Sequence, residues 1–256
     1  MGMIRFDFSG QTAIVTGGAK GIGQTASEKF TESGARVFLI GIDEKKGASV
    51  AEEIRAKGGE AEFVSCDVTD AVSVERAFAH ILSTARRIDI LVNNAGGWTE
   101  QQSVAETSEE EWDRIIALNL KSVFLCSKAA APALLRQKSG RIINMGSVSG
   151  LTATKNNSSP PYGVAKAGVH QLTRLLAADL GPEGIAVNAL SPGTTATARV
   201  TAARSDEQRA RIGASTVIGR IAEVEDIVGW ILFLASPEAG YLMGQTITVN
   251  GGRLMV

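Results

Sequence analysis

Short apolar runs recur along the chain, separated by stretches in which apolar residues return with a helical period. The runs are rich in β-branched and aliphatic side chains, and they cover residues 12–16, 36–41, 61–66, 88–93, 141–146, 185–191 and 246–250. Most are apolar throughout rather than alternating, which is typical of strands buried on both faces of a parallel sheet.

The intervals between these runs carry the helical patterns. We predict helices over roughly 22–33, 44–57, 70–85, 108–137, 161–180 and 223–235. Strand alternating with helix over the whole length predicts an α/β fold of the doubly wound, Rossmann type, with a seven-stranded parallel sheet and helices on both faces. Because no linker or repeat interrupts the pattern, we expect one domain over residues 1–256.

The least regular stretch is 194–216, TTATARVTAARSDEQRARIGAST. It follows the carboxyl end of the sixth predicted strand, where ligands of open α/β sheets bind. An ordinary surface excursion is the alternative, but this position favours a substrate lid. The small threonine and alanine side chains of 194–203 permit a roomy pocket.

Composition and charge argue against several kinds of partner. The formal net charge of −1 disfavours nucleic acid or an anionic membrane as the main partner. The N-terminus has charges where a signal peptide needs an apolar run, and no segment approaches the ~20 apolar residues of a membrane span. Cys66 and Cys126 lack metal-ligand spacing and are interpreted as buried thiols of a reducing compartment rather than a disulfide. We expect a soluble cytoplasmic protein without a metal site.

A glycine-rich turn follows the first predicted strand. TGGAKGIG, residues 16–23, places Gly17, Gly21 and Gly23 at a strand-to-helix junction. Glycines let the backbone turn tightly and approach a pyrophosphate, whose charge is met by N–H groups of the next helix's first turn. Such a turn alone is weak evidence, but here it opens the first βαβ unit, which favours nucleotide binding over a plain turn.

The ends of the next strands extend the same nucleotide site. Asp67 ends the third strand and is placed to accept a hydrogen bond from an adenine amino group. Its alternative role is a helix N-cap reaching toward Val68–Asp70, and the two roles are compatible. NNAGG, residues 93–97, ends the fourth strand, where small residues let a ribose and nicotinamide lie close.

Seven motifs, taken together and in order, resemble those of the short-chain dehydrogenase/reductase family in its common single-domain form. They are TGGAKGIG, CDVTD, NNAGG, the asparagine of ALNLKS, the serine of NMGSVSG, YGVAK and NALSPGTTAT, and they cover nearly the whole chain. The chain is similar to the 3-oxoacyl-carrier-protein reductases of that family. The resemblance implies a nicotinamide cofactor and hydride exchange between an alcohol and a carbonyl.

The resemblance gives catalytic roles to four residues. Tyr162 resembles the acid/base, and a lysine ammonium at Lys166, four residues on, is expected to favour the phenolate. Lys166 also resembles the residue that binds the nicotinamide ribose hydroxyls. Ser147 resembles the residue that hydrogen-bonds the substrate oxygen, with Ser149 as the alternative. Asn119 resembles the residue that maintains the helix geometry and a water connecting the lysine to solvent.

The resemblance also implies a set of cofactor-binding residues at the strand ends. They are Gly17, Lys20, Gly21, Ile22, Gly23, Asp67, Val68, Asn94, Ala95, Gly96, Tyr162, Lys166, Pro192, Gly193, Thr195 and Thr197. In this set the backbone of 194–195 meets the nicotinamide carboxamide.

The end of the second strand carries conflicting signals about the cofactor. Asp43 lies twenty residues after Gly23, so the dinucleotide fingerprint taken literally makes it the ribose ligand and favours NAD. Alignment on GARVFLIGID instead puts the family's discriminating position at Gly41, which supplies no acid. Lys20 stands where a basic residue often meets the 2′-phosphate, or is a solvated lysine, while Ile42 replaces a frequent arginine. We favour NADP(H) over NAD(H).

Other residues have packing or pocket roles in this interpretation. His170 is predicted to be a helix-packing or interface residue, and Trp112 and Trp230 are predicted to be in the core. Trp98 either lines the pocket mouth or covers the sheet. Asn188 is either structural or functional.

The chain departs from the family pattern between Ser147 and Tyr162. This loop is about two residues longer than the commonest spacing, and its Asn156 and Asn157 are expected to shape the substrate pocket. Gly146 stands where serine is frequent.

Helices 108–137 and 161–180 carry more apolar surface than one sheet face readily covers. The resemblance implies a homotetramer built on these helices and on the C-terminal strand region.

Three other functions fit the sequence less well. A regulatory protein that lost turnover predicts a missing tyrosine, lysine or serine, and a halide-eliminating relative predicts loss of the glycine turn. An enoyl reductase of the same superfamily would place the lysine farther from its tyrosine. The sequence therefore favours an NAD(P)-dependent oxidoreductase acting on a small-molecule carbonyl or secondary alcohol, without naming the substrate.

Overall fold

The computed structural model describes residues 6–98, 102–153 and 159–255. Asn156 and Asn157 lie outside these ranges, so their expected role in the pocket stays a prediction. Within the described residues, all strands pair in parallel in one seven-stranded sheet, in the order β3-β2-β1-β4-β5-β6-β7. They are β1 (Thr12–Thr16), β2 (Arg36–Gly41), β3 (Glu60–Ser65), β4 (Ile90–Asn93), β5 (Gly140–Met145), β6 (Ile185–Pro192) and β7 (Thr246–Val249).

The helices connect these strands. They are α1 (Gly21–Glu32), α2 (Glu44–Ala56), α3 (Ala71–Ala85), α4 (Glu109–Ile116), α5 (Ser122–Gln137), α6 (Pro160–Leu180), α7 (Ala198–Ala203), α8 (Asp206–Ala214) and α9 (Val224–Ala235). A π-helical turn, Ala117–Lys121, joins α4 to α5. The predicted doubly wound fold is confirmed, with element ends within about two residues of those expected.

The stretch 194–216 is more regular than the sequence predicts, because it contains α7 and α8. Local caps start both helices: Thr197 accepts a hydrogen bond from the Val200 N–H, and Ser205 forms a capping box with Gln208. Both helices are short and mostly exposed, so they lack the apolar period from which a helix is predicted.

Apolar layers cover both faces of the sheet, as expected for strands without polar alternation. Along β1, Ala13 and Val15 pack with α1, α2 and α9, while Ile14 packs on the opposite face with α3 and α5. The prediction for two tryptophans was wrong, since Trp112 is 38% exposed and Trp230 42% exposed. Each lies on the outer side of its helix.

One helical stretch of the described chain, Glu109–Gln137, is long and apolar enough to cross a membrane by length and composition alone. This corrects the expectation that no segment approaches that length. The stretch begins with three glutamates, and its α5 part buries Val123, Cys126 and Leu134 against the sheet. We interpret it as a core helix with one outer face.

Candidate active site

A cavity of about 620 Å³ runs along the carboxyl ends of the strands, at the point where the strand order reverses between β1 and β4. Its volume is typical of a small-molecule site. The predicted site residues that line it are Gly17, Lys20, Gly21, Ile22, Asp67, Val68, Asn94, Ala95, Gly96, Ser147, Tyr162, Lys166, Pro192, Gly193, Thr195 and Thr197. Gly23 and Asn119 are not in this lining, but they contact residues that are: Gly23 lies against Gly17 and Asn94, and Asn119 bonds Gly97.

The glycine-rich turn has the conformation that its composition predicts. Gly17 and Gly21 have φ angles of +64° and +52°, in the left-handed region that favours glycine. A Cβ on Gly23 would lie 2.5 Å from Asn94 Nδ2 and against the Gly17 carbonyl. Gly23 therefore lets α1 approach the end of β4 closely, leaving the first turn of α1 facing the cavity.

Thr16 ties the glycine turn to the NNAGG segment. Its Oγ1 accepts hydrogen bonds from the N–H groups of Asn94 and Ala95, each at 2.9 Å. The Asn94 amide donates back to the Thr16 carbonyl at 2.9 Å. These contacts hold two strand ends at a fixed separation across the cavity floor.

Asp67 lies in a turn before α3. Its Oδ1 accepts from the N–H and the hydroxyl of Thr69, at 2.8 and 2.7 Å. The N-cap of α3 is Asp70, which accepts from the Ser73 N–H. The alternative N-cap role of Asp67 is thus taken by Asp70, and Asp67 lines the cavity.

Lys20 and Asp43 form an ion pair of 2.6 Å at the end of the cavity beside β2. Asp43 also caps α2 by accepting from the Lys46 N–H. Lys20 is 67% exposed, so both of its predicted roles stay open, and its hydrogen bond is the main cause of the lowered pKa of Asp43. A Cβ on Gly41 would have one contact, with Phe63 at 3.7 Å, so room remains beside β2.

Ser147, Tyr162 and Lys166 meet at the opposite end. Ser147 lies two residues beyond the end of β5, and its hydroxyl lowers the pKa of the Tyr162 phenol. Ser149 also lines the cavity, and its N–H donates to Ser147 Oγ at 3.2 Å, so the choice of Ser147 over Ser149 stays a prediction. Lys166 is buried, with Nζ 5.7 Å from the Tyr162 ring centre and donating to the Met145 carbonyl at 2.6 Å.

Burial shifts the pKa values of both Tyr162 and Lys166. Removal from water raises the pKa of the Tyr162 phenol, and the Ser147 hydroxyl and the charge of Arg199 offset this only in part. Burial also lowers the pKa of Lys166 to about 8. Without a bound cofactor the phenol is therefore protonated at neutral pH, and the expected stabilisation of the phenolate by Lys166 and an oxidised nicotinamide stays a prediction.

Asn119 lies in the π-helical turn, a feature found frequently at functional sites. Its side chain bonds both backbone groups of Gly97, accepting from N–H and donating to the carbonyl at 2.9 Å each. A Cβ on Gly96 would lie 2.8 Å from Asn119 Oδ1 and 3.5 Å from Lys166 Nζ. Asn119 thus fixes the NNAGG backbone beside the lysine.

The end of β6 closes the cavity from the far side. Gly193 donates to the Val249 carbonyl at 2.9 Å, and Thr195 forms a bridge with Ala222. A Cβ on Gly21 would lie 3.3 Å from Thr197 Cγ2, so the start of α7 crosses over the glycine turn.

Asn188 is structural, since its side chain bonds the Leu242 carbonyl and the Gln245 N–H.

His170 fills the space left by Gly146. A Cβ on Gly146 would lie 2.7 Å from His170 Cδ2, and the imidazole is almost completely buried. Burial, with the charge of Lys166, lowers the pKa of His170 to about 4. The predicted packing role is confirmed.

Sequence reasoning missed three arginines of the cavity, Arg199, Arg204 and Arg253. The first two belong to the stretch predicted as a lid, but no spacing rule singled them out. Trp98 lines the cavity between them, which settles its two alternatives in favour of the pocket mouth.

Comparisons with known proteins agree with this geometry. The family model described as enoyl-(acyl carrier protein) reductase matches residues 17–253. The 3-oxoacyl-(acyl-carrier-protein) reductase FabG of Escherichia coli is 38% identical over 98% of this chain and 100% of its own. FabG of Staphylococcus aureus is 39% identical over 96% and 98%.

Two solved structures superpose closely. The protein gox2181 has a TM-score of 0.93 and 32% identity, covering 96% of both chains. An Agrobacterium tumefaciens protein, provisionally named a gluconate dehydrogenase, has a TM-score of 0.93 and 36% identity, covering 99% of this chain and 100% of its own.

Proposed function

Because the chain belongs to the short-chain dehydrogenase/reductase family, and is thus an NAD(P)-dependent oxidoreductase of C=O and CH–OH groups, we propose that Ser147, Tyr162, Lys166 and Asn119 carry its reaction. The observation that supports this most is the meeting of Ser147 and Tyr162 above a buried Lys166 at one end of the cavity. The alternative function, a regulatory protein that lost turnover, has no support, because these catalytic side chains are all present and lie together at the cavity.

In this proposal Tyr162 is the proton donor and Ser147 orients the substrate oxygen. A phenol keeps its proton at neutral pH and can give it to a carbonyl oxygen during reduction. Its raised pKa makes it a weaker acid, so the charge of Arg199, which lowers that pKa, favours the transfer. The Ser147 hydroxyl donates a hydrogen bond to the same oxygen as its negative charge develops. Lys166, fixed on the Met145 carbonyl, keeps a cation beside the phenol ring.

The cavity fits a nicotinamide dinucleotide. A bound nicotinamide supplies or accepts the hydride. The glycine turn and the first turn of α1 would hold the pyrophosphate, Asp67 and Val68 the adenine, and Asn94–Gly96 with Lys166 the nicotinamide ribose. The close approach at Gly23, where no side chain has room, is what this cradle needs.

We propose NADP(H) as the preferred cofactor. The position of Gly41 presents no carboxylate against a 2′-phosphate, and Lys20 supplies a cation at the cavity end. Asp43 acts in the opposite direction, because it neutralises part of the Lys20 charge through their ion pair.

We further propose that the whole chain is one cytoplasmic domain that assembles as a homotetramer and has neither nucleic acid nor membrane as its partner. The α5 and α6 helices support the assembly, since Phe124 is 46% exposed, Val164 50% and Leu175 57%. Free buried Cys66 and Cys126 support the compartment.

The test is a turnover assay that follows the absorbance of the reduced nicotinamide. Ketones, oxo acids and 3-oxoacyl thioesters are each offered with NADPH and with NADH. Reduction of at least one class, abolished in Tyr162→Phe, supports the proposal. Binding of cofactor without turnover of any class would contradict it.

A further inference from the structure

Two arginines of the cavity lining, Arg199 and Arg204, lie against Trp98. The guanidinium carbons of Arg199 and Arg204 lie 5.6 and 5.2 Å from the centre of the Trp98 ring. Arg253, which follows β7, lines the same cavity. Arginines on an aromatic ring are attracted to its π-face, so the indole holds the two guanidinium groups in place.

Arg199 lies against Gly97 of the NNAGG segment and within electrostatic range of Tyr162. A Cβ on Gly97 would lie 2.8 Å from the Arg199 guanidinium carbon, so that group rests on the NNAGG backbone. One of its N–H groups donates to the Trp98 carbonyl. A guanidinium has five N–H donors, so others remain to bind a ligand. Its charge also lowers the pKa of the Tyr162 phenol, as expected for a cation close to the acid.

Among the described residues that line the cavity, the carboxylates are Asp43 and Asp67, and both lie at the end beside β2 and β3, away from Arg199 and Arg204. Arg204 is partly buried, and the pKa of its guanidinium is lowered by burial and by the charge of Arg253. Like charges gathered in a concave site favour an anionic ligand.

We infer that the substrate is a small oxo acid or hydroxy acid, whose carboxylate binds Arg199 and Arg204 while its carbonyl or hydroxyl faces Tyr162. Guanidinium groups bind carboxylates through paired hydrogen bonds, which gives both affinity and orientation. The inference rests on the proposed function, since it supplies the substrate class for the same site. The alternative is that Arg199 only fastens the lid to Trp98.

The first test compares matched acidic and neutral substrates with the cofactor-loaded enzyme. Oxo acids of about four to seven carbons are compared with their methyl esters, as kcat/KM. We expect wild type to prefer the acids by at least ~10-fold, since charge-assisted hydrogen bonds contribute that much. Arg199→Gln and Arg204→Gln should each reduce kcat/KM for the acids ~10-fold or more and change the esters by less than ~3-fold.

The control is Arg211→Gln, which changes an exposed arginine of α8 outside the cavity lining. It should leave kcat/KM unchanged for both the acids and the esters. If Arg199→Gln lowers kcat/KM equally for acids and esters, Arg199 only fastens the lid to Trp98, and the inference is overturned. Wild-type turnover of esters without preference for acids would also overturn it, and would leave the oxidoreductase proposal intact.

A second test needs no turnover. Pentanoate and pentanamide are titrated calorimetrically into the protein saturated with oxidised cofactor. Pentanoate should bind more tightly than pentanamide, and Arg204→Gln should remove the difference. Equal binding of the two probes would reject the carboxylate site even if the enzyme reduces neutral ketones.

Discussion

The side chains of Tyr162 and Lys166 lie one helical turn apart on α6, with the ammonium nitrogen 5.7 Å from the centre of the phenol ring. Burial has opposite effects on their pKa values, raising that of the phenol and lowering that of the lysine to about 8. Near neutral pH the pair is therefore a phenol beside an ammonium, and the lysine is the group that loses its proton first on the alkaline side.

This ordering predicts the pH dependence of reduction. Below about 8 Lys166 is an ammonium, and as pH rises through that value the cation beside Tyr162 is lost. We expect kcat/KM for reduction to be flat at neutral pH and to fall above about 8. In Lys166→Arg, which stays charged, any remaining activity should not fall there. The same alkaline fall in both proteins would contradict the assignment to Lys166.

Lys20 and Asp43 should act in opposite directions on cofactor choice. Lys20→Ala is expected to reduce kcat/KM with NADPH by ~10-fold and with NADH by less than ~3-fold, because a cation facing a phosphate is lost. Asp43→Asn should raise the NADPH preference, since Lys20 is then unpaired from its carboxylate. Lys45→Ala, exposed on α2, is the control. A wild-type preference for NADH that neither cavity substitution moves would reject the NADP(H) proposal.

The effects of substitutions at Gly146 and His170 on stability should be coupled, because side chains at these two positions compete for the same space. Gly146→Ala places a methyl group against the imidazole, and overpacking of this kind destabilises by roughly 1–3 kcal/mol. A second substitution, His170→Ala, should recover part of that loss. Thermal unfolding of the two single variants and the double variant measures the coupling. Strictly additive changes would show that the two positions do not compete for space.

Assembly should depend on the outer faces of α5 and α6. We expect light scattering to report a tetramer for wild type and a smaller species for Phe124→Asp or Leu175→Asp, since both residues are exposed apolar groups. Val72→Asp, on an exposed position of α3, should leave the tetramer unchanged. A monomeric wild type at micromolar concentration would contradict the proposal.

The sequence motifs and the periodicity of apolar residues predicted the sheet and most of the cavity lining, because the sheet and the lining both follow from interactions that are local in the sequence. Glycines at positive φ and continuous apolar strands follow from backbone geometry and burial, and these positioned Gly17 and Gly21 correctly. The pKa of Tyr162 could not be predicted from its spacing to Lys166, since it depends on how far the fold removes the phenol from water.

The arginines around Trp98 show a second limit of sequence reasoning. Arg199 and Arg204 are brought to one ring by the turn of α7 and the loop that follows it. They lie about 100 residues from Trp98 along the chain, so neither spacing nor periodicity could have joined them. Exposed short helices leave no apolar pattern from which that meeting could be predicted.

The central claim is that Tyr162 donates the proton in a nicotinamide-dependent reduction. Its most direct test is single-turnover reduction by Tyr162→Phe, with Tyr241→Phe, which removes the hydroxyl of a fully exposed tyrosine, as the matched control. We predict a rate at least ~10²-fold below wild type for Tyr162→Phe, the usual contribution of a general acid, with cofactor affinity within a few fold and Tyr241→Phe unchanged. A near-normal rate in Tyr162→Phe would contradict the account.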